Sequence, residues 1–406
     1  MYGLLGKTLK ASFSKEIHAM FGIKNYNYFE VPEEELESFI KSREYAGLNV
    51  TMPHKIEVMK YLDLVSDEAK EAGSVNTIVN EAGRLCGYNT DVYGFEAMLD
   101  KAKFDIDGSK VLVLGSGGAS RAVCYVLKKR NASKIVVISR KGENNYNNID
   151  EHFDADYIIN TTPVGMSPDS EKRILNLSVF HNLKGVGDII YNPLRTELIL
   201  QAEELGIPAI GGLYMLVAQA KRSDELFSGH KIGDKKIEEV YNALICRKRN
   251  IVLIGMPGSG KSLIGKLLAK DFKRHLFDTD RLIRERTGRT PGEIITEEGE
   301  SVFRKIESDI IREVSEYNHV IIATGGGAVT IPDNKHLLKH NSIIIYVKRP
   351  IEKLTTKGRP LSQKLSVEEL FNKRKALYEH FADISIENDG ELEEVLRKLK
   401  SALYFV

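Results

Sequence analysis

Ile251-Val252-Leu253-Ile254-Gly255-Met256-Pro257-Gly258-Ser259-Gly260-Lys261-Ser262-Leu263 sets a short apolar run, a glycine-rich loop and the start of a helical stretch in immediate succession. The loop matches G-x-x-x-x-G-K-[ST] at every fixed position. Its glycines let backbone N–H groups converge on phosphate oxygens, and the helix running on to Lys270 adds the positive end of its dipole. Lys261 then reaches the β- and γ-phosphates and Ser262 ligates Mg²⁺, so Gly255 to Leu263 reads as an ATP-type triphosphate cradle. Such a strand, loop and helix belong to a parallel α/β sheet.

Outward from this point the same alternation continues. Val111 to Leu114, Lys134 to Ile138, Tyr157 to Asn160, Val320 to Ala323 and Ile343 to Val347 read as buried parallel strands between helical-period stretches. A second glycine-rich loop, Gly115-Ser116-Gly117-Gly118-Ala119-Ser120, follows one of them and precedes the helical stretch Arg121 to Lys129. It is a variant of the dinucleotide fingerprint, with Ser120 where a third Gly or Ala is expected. The next strand ends in Ser139-Arg140-Lys141 and lacks the acidic residue that binds a ribose 2′-hydroxyl. Two cations there suit a 2′-phosphate and favour NADP over NAD; the plainer reading is a basic turn. Polar Lys141 to Asn148 reads as a loop, and a domain boundary is expected near Cys246 to Arg249.

Composition narrows the class of function. With 406 residues, two or three domains are expected. A formal charge of +1 with 28% charged residues gives no electrostatic reason for a nucleic-acid or anionic-membrane partner, so small-molecule substrates are expected. Three scattered cysteines, Cys86, Cys124 and Cys246, make neither a disulfide framework nor a zinc cluster and fit a reducing compartment. No run approaches the roughly 18 apolar residues that span a bilayer, so a cytoplasmic location is expected.

In the C-terminal half, Asp278-Thr279-Asp280 closes a short apolar strand and brings two carboxylates beside the triphosphate loop, one for Mg²⁺ and one for a hydroxyl nucleophile; a helix N-cap is the equal alternative. Phe303-Arg304-Lys305-Ile306-Glu307 puts Arg304 and Glu307 on one helix face, where the plain reading is a surface ion pair. Gly325-Gly326-Gly327 follows a strand, and Arg359-Pro360-Leu361 and Arg374 come later. This ordered set resembles P-loop shikimate kinase over residues 249–406. The resemblance implies that Asp280 holds the shikimate hydroxyls near the attacking oxygen, that Asp278 supports Mg²⁺, and that Arg304 and Arg374 grip the carboxylate. It also implies that Gly326 and Gly327 touch the ring and that Arg359 meets the phosphates from a lid. The approach Leu354 to Gly358 departs from the family, which carries more Arg there.

In the N-terminal half, the order Ser12-x-Ser14, Asn49-Val50-Thr51-x-Pro53-x-Lys55, Val75-Asn76-Thr77, Asn89-Thr90-Asp91, the glycine loop and Gly212-Leu213-Tyr214-Met215-Leu216-Val217-x-Gln219 resembles shikimate dehydrogenase. Taken alone, Asn89-Thr90 also reads as a helix N-cap. The resemblance implies that Ser12 and Ser14 bind the substrate carboxylate and that Thr51, Asn76, Tyr191 and Gln219 bind ring hydroxyls. Lys55 and Asp91 form its catalytic pair, and Thr161, Gly212 and Met215 lie along the cofactor. Reduction of a ketone needs a proton donor at the forming alkoxide, which an ammonium beside a carboxylate supplies. Lys15 and Ala11 depart from the family, which carries Pro and His at these positions.

Together the resemblances imply two consecutive reactions on one chain: NADPH-linked reduction of 3-dehydroshikimate, then ATP-linked phosphorylation of shikimate, toward chorismate. The expected layout is a split α/β substrate-binding part (1–104 and 211–246), a Rossmann-like NADP-binding part (105–210), and a P-loop kinase domain with a parallel sheet (247–406). Three other readings stay open: a quinate-oxidising, NAD-linked first half, a silent sensor in one half, or a related kinase acceptor such as gluconate, which would not explain Arg304 and Arg374 together. The sequence leaves monomer and homodimer equally open.

Overall fold

The computed structural model describes residues 1–9, 12–354 and 366–404. It separates into two compact units, 1–166 with 173–244, and 167–172 with 245–406. Arg359 and Ala11 lie outside the described residues.

The first unit holds two sheets. One is six-stranded, ordered β2 (Tyr26–Glu30), β1 (Tyr2–Gly6), β3 (Gly47–Val50), β5 (Thr77–Glu81), β6 (Arg84–Tyr88), β4 (Leu64–Val65). It is mixed, because β3 with β5 and β5 with β6 run antiparallel, which departs from the parallel pattern expected throughout. The cause is local. Ala82 and Gly83 both adopt positive φ (52° and 93°), the two-residue turn whose twist matches a β-hairpin. Alanine at such a φ is uncommon, so the residue pair carries little turn signal.

The second sheet is all parallel, ordered β11 (Ala209–Gly211), β10 (Gly185–Asp188), β9 (Tyr157–Asn160), β7 (Lys110–Leu114), β8 (Lys134–Ile138). Its central strands read as unbroken apolar runs because both faces are covered: Val111 and Val113 pack with Val123 and Phe95 on one side, Leu112 and Leu114 with Ile158 and Leu198 on the other. Each fully buried Val or Leu contributes about 1.5–3 kcal/mol. Strand order reverses at β7, and the Gly115 loop leaves from its carboxyl end, which is where open α/β sheets bind ligands.

The second unit repeats this logic with five parallel strands, ordered β13 (His275–Asp278), β14 (Val320–Ala323), β12 (Asn250–Ile254), β15 (Ser342–Lys348), β16 (Ile384–Glu387). Val252 and Ile322 face Phe303, Ile310 and Tyr378, while Leu253 and Ile345 face Ile264 and Leu268. The Gly255 loop leaves β12, flanked by β14 and β15. Among the described residues no helix is long and apolar enough to cross a membrane.

Candidate active sites

In the first unit the Ser12 hydroxyl donates to Ser14 Oγ at 2.9 Å, and Ser14 opens the helix Ser14–Phe21. Tyr191 joins them: its phenol is pushed up by burial against a hydrogen bond with Ser12, and its ring packs 5.1 Å from Phe13. Across from this cluster β3 ends, and Thr51 N–H donates to Leu5 O at 2.8 Å before the chain turns at Met52-Pro53. The turn presents Lys55, whose Nζ donates to Asp91 Oδ2 at 2.5 Å; the two side chains are 15% and 3% exposed. Asp91 sits in the first turn of the helix Thr90–Ala102, so a carboxylate also meets the positive end of that helix.

Asn76 Nδ2 donates to Gln219 Oε1 at 2.8 Å, and Thr90 N–H donates to Asn76 Oδ1 at 2.6 Å. Asn89 occupies the N-cap position without capping; its amide instead donates to Ser74 O and Oγ. Behind these groups lies a buried polar network that motif reading does not reveal. Thr77, Thr90 and Ser223 hydroxyls lie 2.9–3.1 Å from one another, and Asn49 Nδ2 donates to Ser223 Oγ at 2.8 Å. Tyr26 donates to Asn49 Oδ1 at 2.7 Å and stacks on His18, which pairs with Asp224 at 2.5 Å. Burial pushes the Asp224 carboxyl up, against the pull of His18. Asn49, Thr77 and Thr90 stand in the motifs already quoted, whereas Ser223 is marked only by standing one helical turn after Gln219.

The Gly115 loop adjoins Lys55: a β-carbon added at Gly118 would lie 3.4 Å from Lys55 Cβ. Gly115 takes φ +103°, and a β-carbon there would lie 2.8 Å from Thr161 Oγ1, so the turn requires glycine. Ser116 and Gly117 are exposed, and Gly117 precedes the helix Gly118–Lys129 with Ala119 in its first turn. Ser120 is buried inside that turn. Thr161 is tied to Leu114 O by both its N–H and its hydroxyl. Arg140 and Lys141 are exposed in the turn after Ser139, whose N–H donates to Asn144 O. Gly212 N–H donates to Ile190 O at 2.9 Å, and Met215 is buried in the helix Leu213–Ser228.

Asp188, at the end of β10, links these parts and escaped sequence reading. Its carboxylate accepts from Asn160 Nδ2, Thr196 Oγ1 and Ile190 N–H, joining the loop that carries Thr161 to the segment that carries Tyr191. Burial pushes its pKa up to about 7 although these donors lower it. The folded value lies above the unfolded value of about 3.9, so the folded state binds more protons between pH 4 and 7. Stability from this group is therefore present at low pH and lost as pH rises through 7. Asp188→Asn removes that dependence. Its Tm relative to wild type should improve from pH 5 to pH 8, by at most about 3 kcal/mol in stability; a difference constant with pH would contradict the assignment.

In the second unit Gly255, Gly258 and Gly260 all adopt positive φ (144°, 84° and 98°). A β-carbon at Gly255 would lie 2.5 Å from Val347 O and one at Gly260 would lie 2.5 Å from Asn388 Nδ2, so the loop folds tightly on β15 and β16. Met256 is buried, Pro257 lines the cavity, and the Ser259 hydroxyl is buried without a hydrogen-bond partner. Lys261 Nζ donates to Gly255 O and Met256 O at 2.8 and 2.9 Å. Ser262 donates to Asp278 Oδ2 at 2.6 Å, while Asp278 Oδ1 caps the helix Thr279–Thr287 by accepting from Arg281 N–H. Asp278 is therefore a helix N-cap whose second oxygen lies beside the Ser262 hydroxyl.

A cavity of about 500 Å³ opens here, lined by Lys261, Ser262, Leu263, Asp278, Asp280, Arg304, Glu307, Gly325 to Gly327 and Arg374. Arg304 and Glu307 are not a surface pair. They meet at 2.6 Å with 8% and 0% exposure, because Gly327 packs against the guanidinium: a β-carbon there would lie 1.9 Å from Arg304 Nη2. Burial lowers the Arg304 pKa, but Glu307 and Glu300 outweigh it and leave it raised. Glu307 is pushed up by burial despite Arg304, with Asp280 adding to the push. A β-carbon at Gly326 would lie 2.5 Å from Pro257, so the glycine triad abuts the Gly255 loop. Arg374 Nη1 and the Tyr378 hydroxyl both donate to Gly326 O.

Comparison with known proteins follows this division. Residues 257–404 match the family model for shikimate kinase, and residues 4–78 match that for the shikimate dehydrogenase substrate binding domain. A shikimate dehydrogenase (NADP(+)) of Clostridium perfringens strain SM101 is 38% identical over 268 residues, 61% of this chain and 99% of that protein. The chorismate mutase/shikimate 5-dehydrogenase fusion of Clostridium acetobutylicum is 38% identical, with a TM-score of 0.57 over 60% of this chain and 96% of that one. A quinate dehydrogenase of Corynebacterium glutamicum, solved with NAD, is 27% identical, with a TM-score of 0.54 over 60% of this chain and 98% of that one.

Proposed function

Because the chain belongs to the shikimate dehydrogenase family and carries a shikimate kinase domain behind it, we propose that it reduces 3-dehydroshikimate to shikimate with NADPH and then transfers the γ-phosphoryl group of ATP to the shikimate 3-hydroxyl. The Lys55–Asp91 contact at the edge of the Gly115 loop carries the first half of this reading.

NADPH supplies the hydride. Lys55 gives its proton to the carbonyl oxygen as the carbon gains that hydride, so the ketone becomes an alcohol and the amine recovers a proton from water. Asp91 holds the ammonium in place and accepts from a ring hydroxyl. Ser12, Ser14 and Tyr191 take the carboxylate and its neighbourhood; Thr51, Asn76 and Gln219 take the hydroxyls. The open space at Gly117 and the helix behind it fit a pyrophosphate, with Gly115, Ser116, Gly118 and Ala119 completing the cradle. Ser139, Arg140 and Lys141 fit the 2′-phosphate, and Thr161, Gly212 and Met215 fit the nicotinamide half.

In the kinase, the positive-φ loop and the unpartnered Ser259 hydroxyl fit phosphate oxygens. When bound, ATP would supply the phosphoryl group and Mg²⁺ would neutralise charge on its oxygens. Ser262 and Asp278 form the oxygen pair for the cation. Asp280 accepts the hydroxyl proton, Lys261 faces the phosphates, and Arg304 and Arg374 fork onto the carboxylate. Residues 1–246 and 247–406 divide the two activities, with 105–210 for NADP.

The test is an assay of the full chain with 3-dehydroshikimate and NADPH, followed by Mg²⁺ and ATP. Loss of NADPH absorbance and then shikimate-dependent ADP release are expected; failure of either step removes that half of the reading. A quinate-oxidising first half is the second reading, favoured by the Corynebacterium likeness and opposed by Arg140 and Lys141. Arg140→Ala should raise KM for NADPH by about tenfold and leave NADH within twofold, the size of one lost charge-assisted contact. Equal effects on both cofactors would defeat the 2′-phosphate assignment.

A further inference from the structure

Tyr378 has no exposed surface, and its ring stacks on Tyr346 of β15 with centroids 4.9 Å apart. It stands one turn after Arg374 on the helix Val367–Phe381, so both side chains reach the same place. That place is the carbonyl of Gly326, which accepts a short hydrogen bond from the Tyr378 hydroxyl and a longer one, 3.2 Å, from Arg374 Nη1. Met256 Sδ of the triphosphate loop lies 3.7 Å from the same hydroxyl. One carbonyl thus has both lone pairs engaged, by one neutral and one cationic donor.

The two donors differ in what else they can do. Arg374 lines the cavity and carries the charge that an anionic ligand seeks; Tyr378 is sealed behind it. Were Arg374 the sole donor, its recruitment by a carboxylate would leave the part-buried Gly326 O without a protein partner. We propose that Tyr378 is a positioning residue, a standby donor that keeps the Gly326 carbonyl satisfied while Arg374 turns from it to the carboxylate of the acceptor substrate. Burial pushes the phenol pKa up, so the group remains a donor at every working pH. The inference rests on the reading of shikimate as acceptor.

The experiment uses the full chain and shikimate. Tyr378→Phe removes one oxygen and keeps the stacking on Tyr346. It should raise KM for shikimate by about tenfold, with kcat and KM for ATP within about twofold, as expected for lost binding with the chemistry intact. In an Arg374→Ala background the same change should move KM by less than about twofold, because no guanidinium remains to be released. Thermal unfolding verifies the fold of each variant. An unchanged KM in Tyr378→Phe, or an equal rise in the Arg374→Ala background, overturns the proposal. Wild-type protein that turns over ATP but not shikimate defeats the acceptor reading instead.

Discussion

Lys261→Ala is expected to lower shikimate-dependent ADP release by about 10³-fold while NADPH oxidation continues at the wild-type rate. The size follows from removing the one buried cation of the loop at the point where negative charge is transferred. The same ammonium also ties Gly255 O and Met256 O together, so alanine loses a clasp as well as a charge. Lys261→Arg separates the two effects, since it keeps the charge but not the compact geometry. Kinase activity within tenfold of wild type would remove Lys261 from its assigned role. Loss of both activities would instead show that the two halves depend on each other to fold.

Lys55→Ala should abolish reduction to the level left by binding alone, a fall of about 10²–10⁴-fold, with phosphorylation intact. Asp91, 3% exposed, would then be a buried charge without its partner, which destabilises by about 3–5 kcal/mol when nothing else compensates. The companion Lys55→Ala/Asp91→Asn removes that penalty. It should recover thermal stability without recovering the reductase rate. NADPH binding measured by fluorescence should persist in both. A reductase rate unchanged in Lys55→Ala would end its catalytic assignment.

The strands at the centre of both parallel sheets were legible because burial on two faces leaves an unbroken apolar run, as in Val111 to Leu114 and Ile251 to Ile254. The hairpin between β5 and β6 was not, since its turn uses Ala82 where Asn or Asp would advertise it. In the candidate sites the motifs give residue type and order, but not surroundings. Arg304 and Glu307 share a helix face by spacing alone, yet it is the close approach of Gly325 and Gly327, from another element, that covers them. Asp188 and Tyr378 act through Asn160 and Gly326, 28 and 52 residues away, and no local pattern marks such a partner.

The three buried hydroxyls of Thr77, Thr90 and Ser223 also have a directional consequence. Asn76 receives the Thr90 backbone N–H, a group that can only donate, so the atom facing inward must be its oxygen. Its nitrogen is thereby turned outward to Gln219 Oε1, and Gln219 in turn must point its own nitrogen the opposite way. The interior thus dictates the polarity of an amide relay two residues long. What the relay offers at its far end is hydrogen, so a ligand atom docking there has to bring lone pairs.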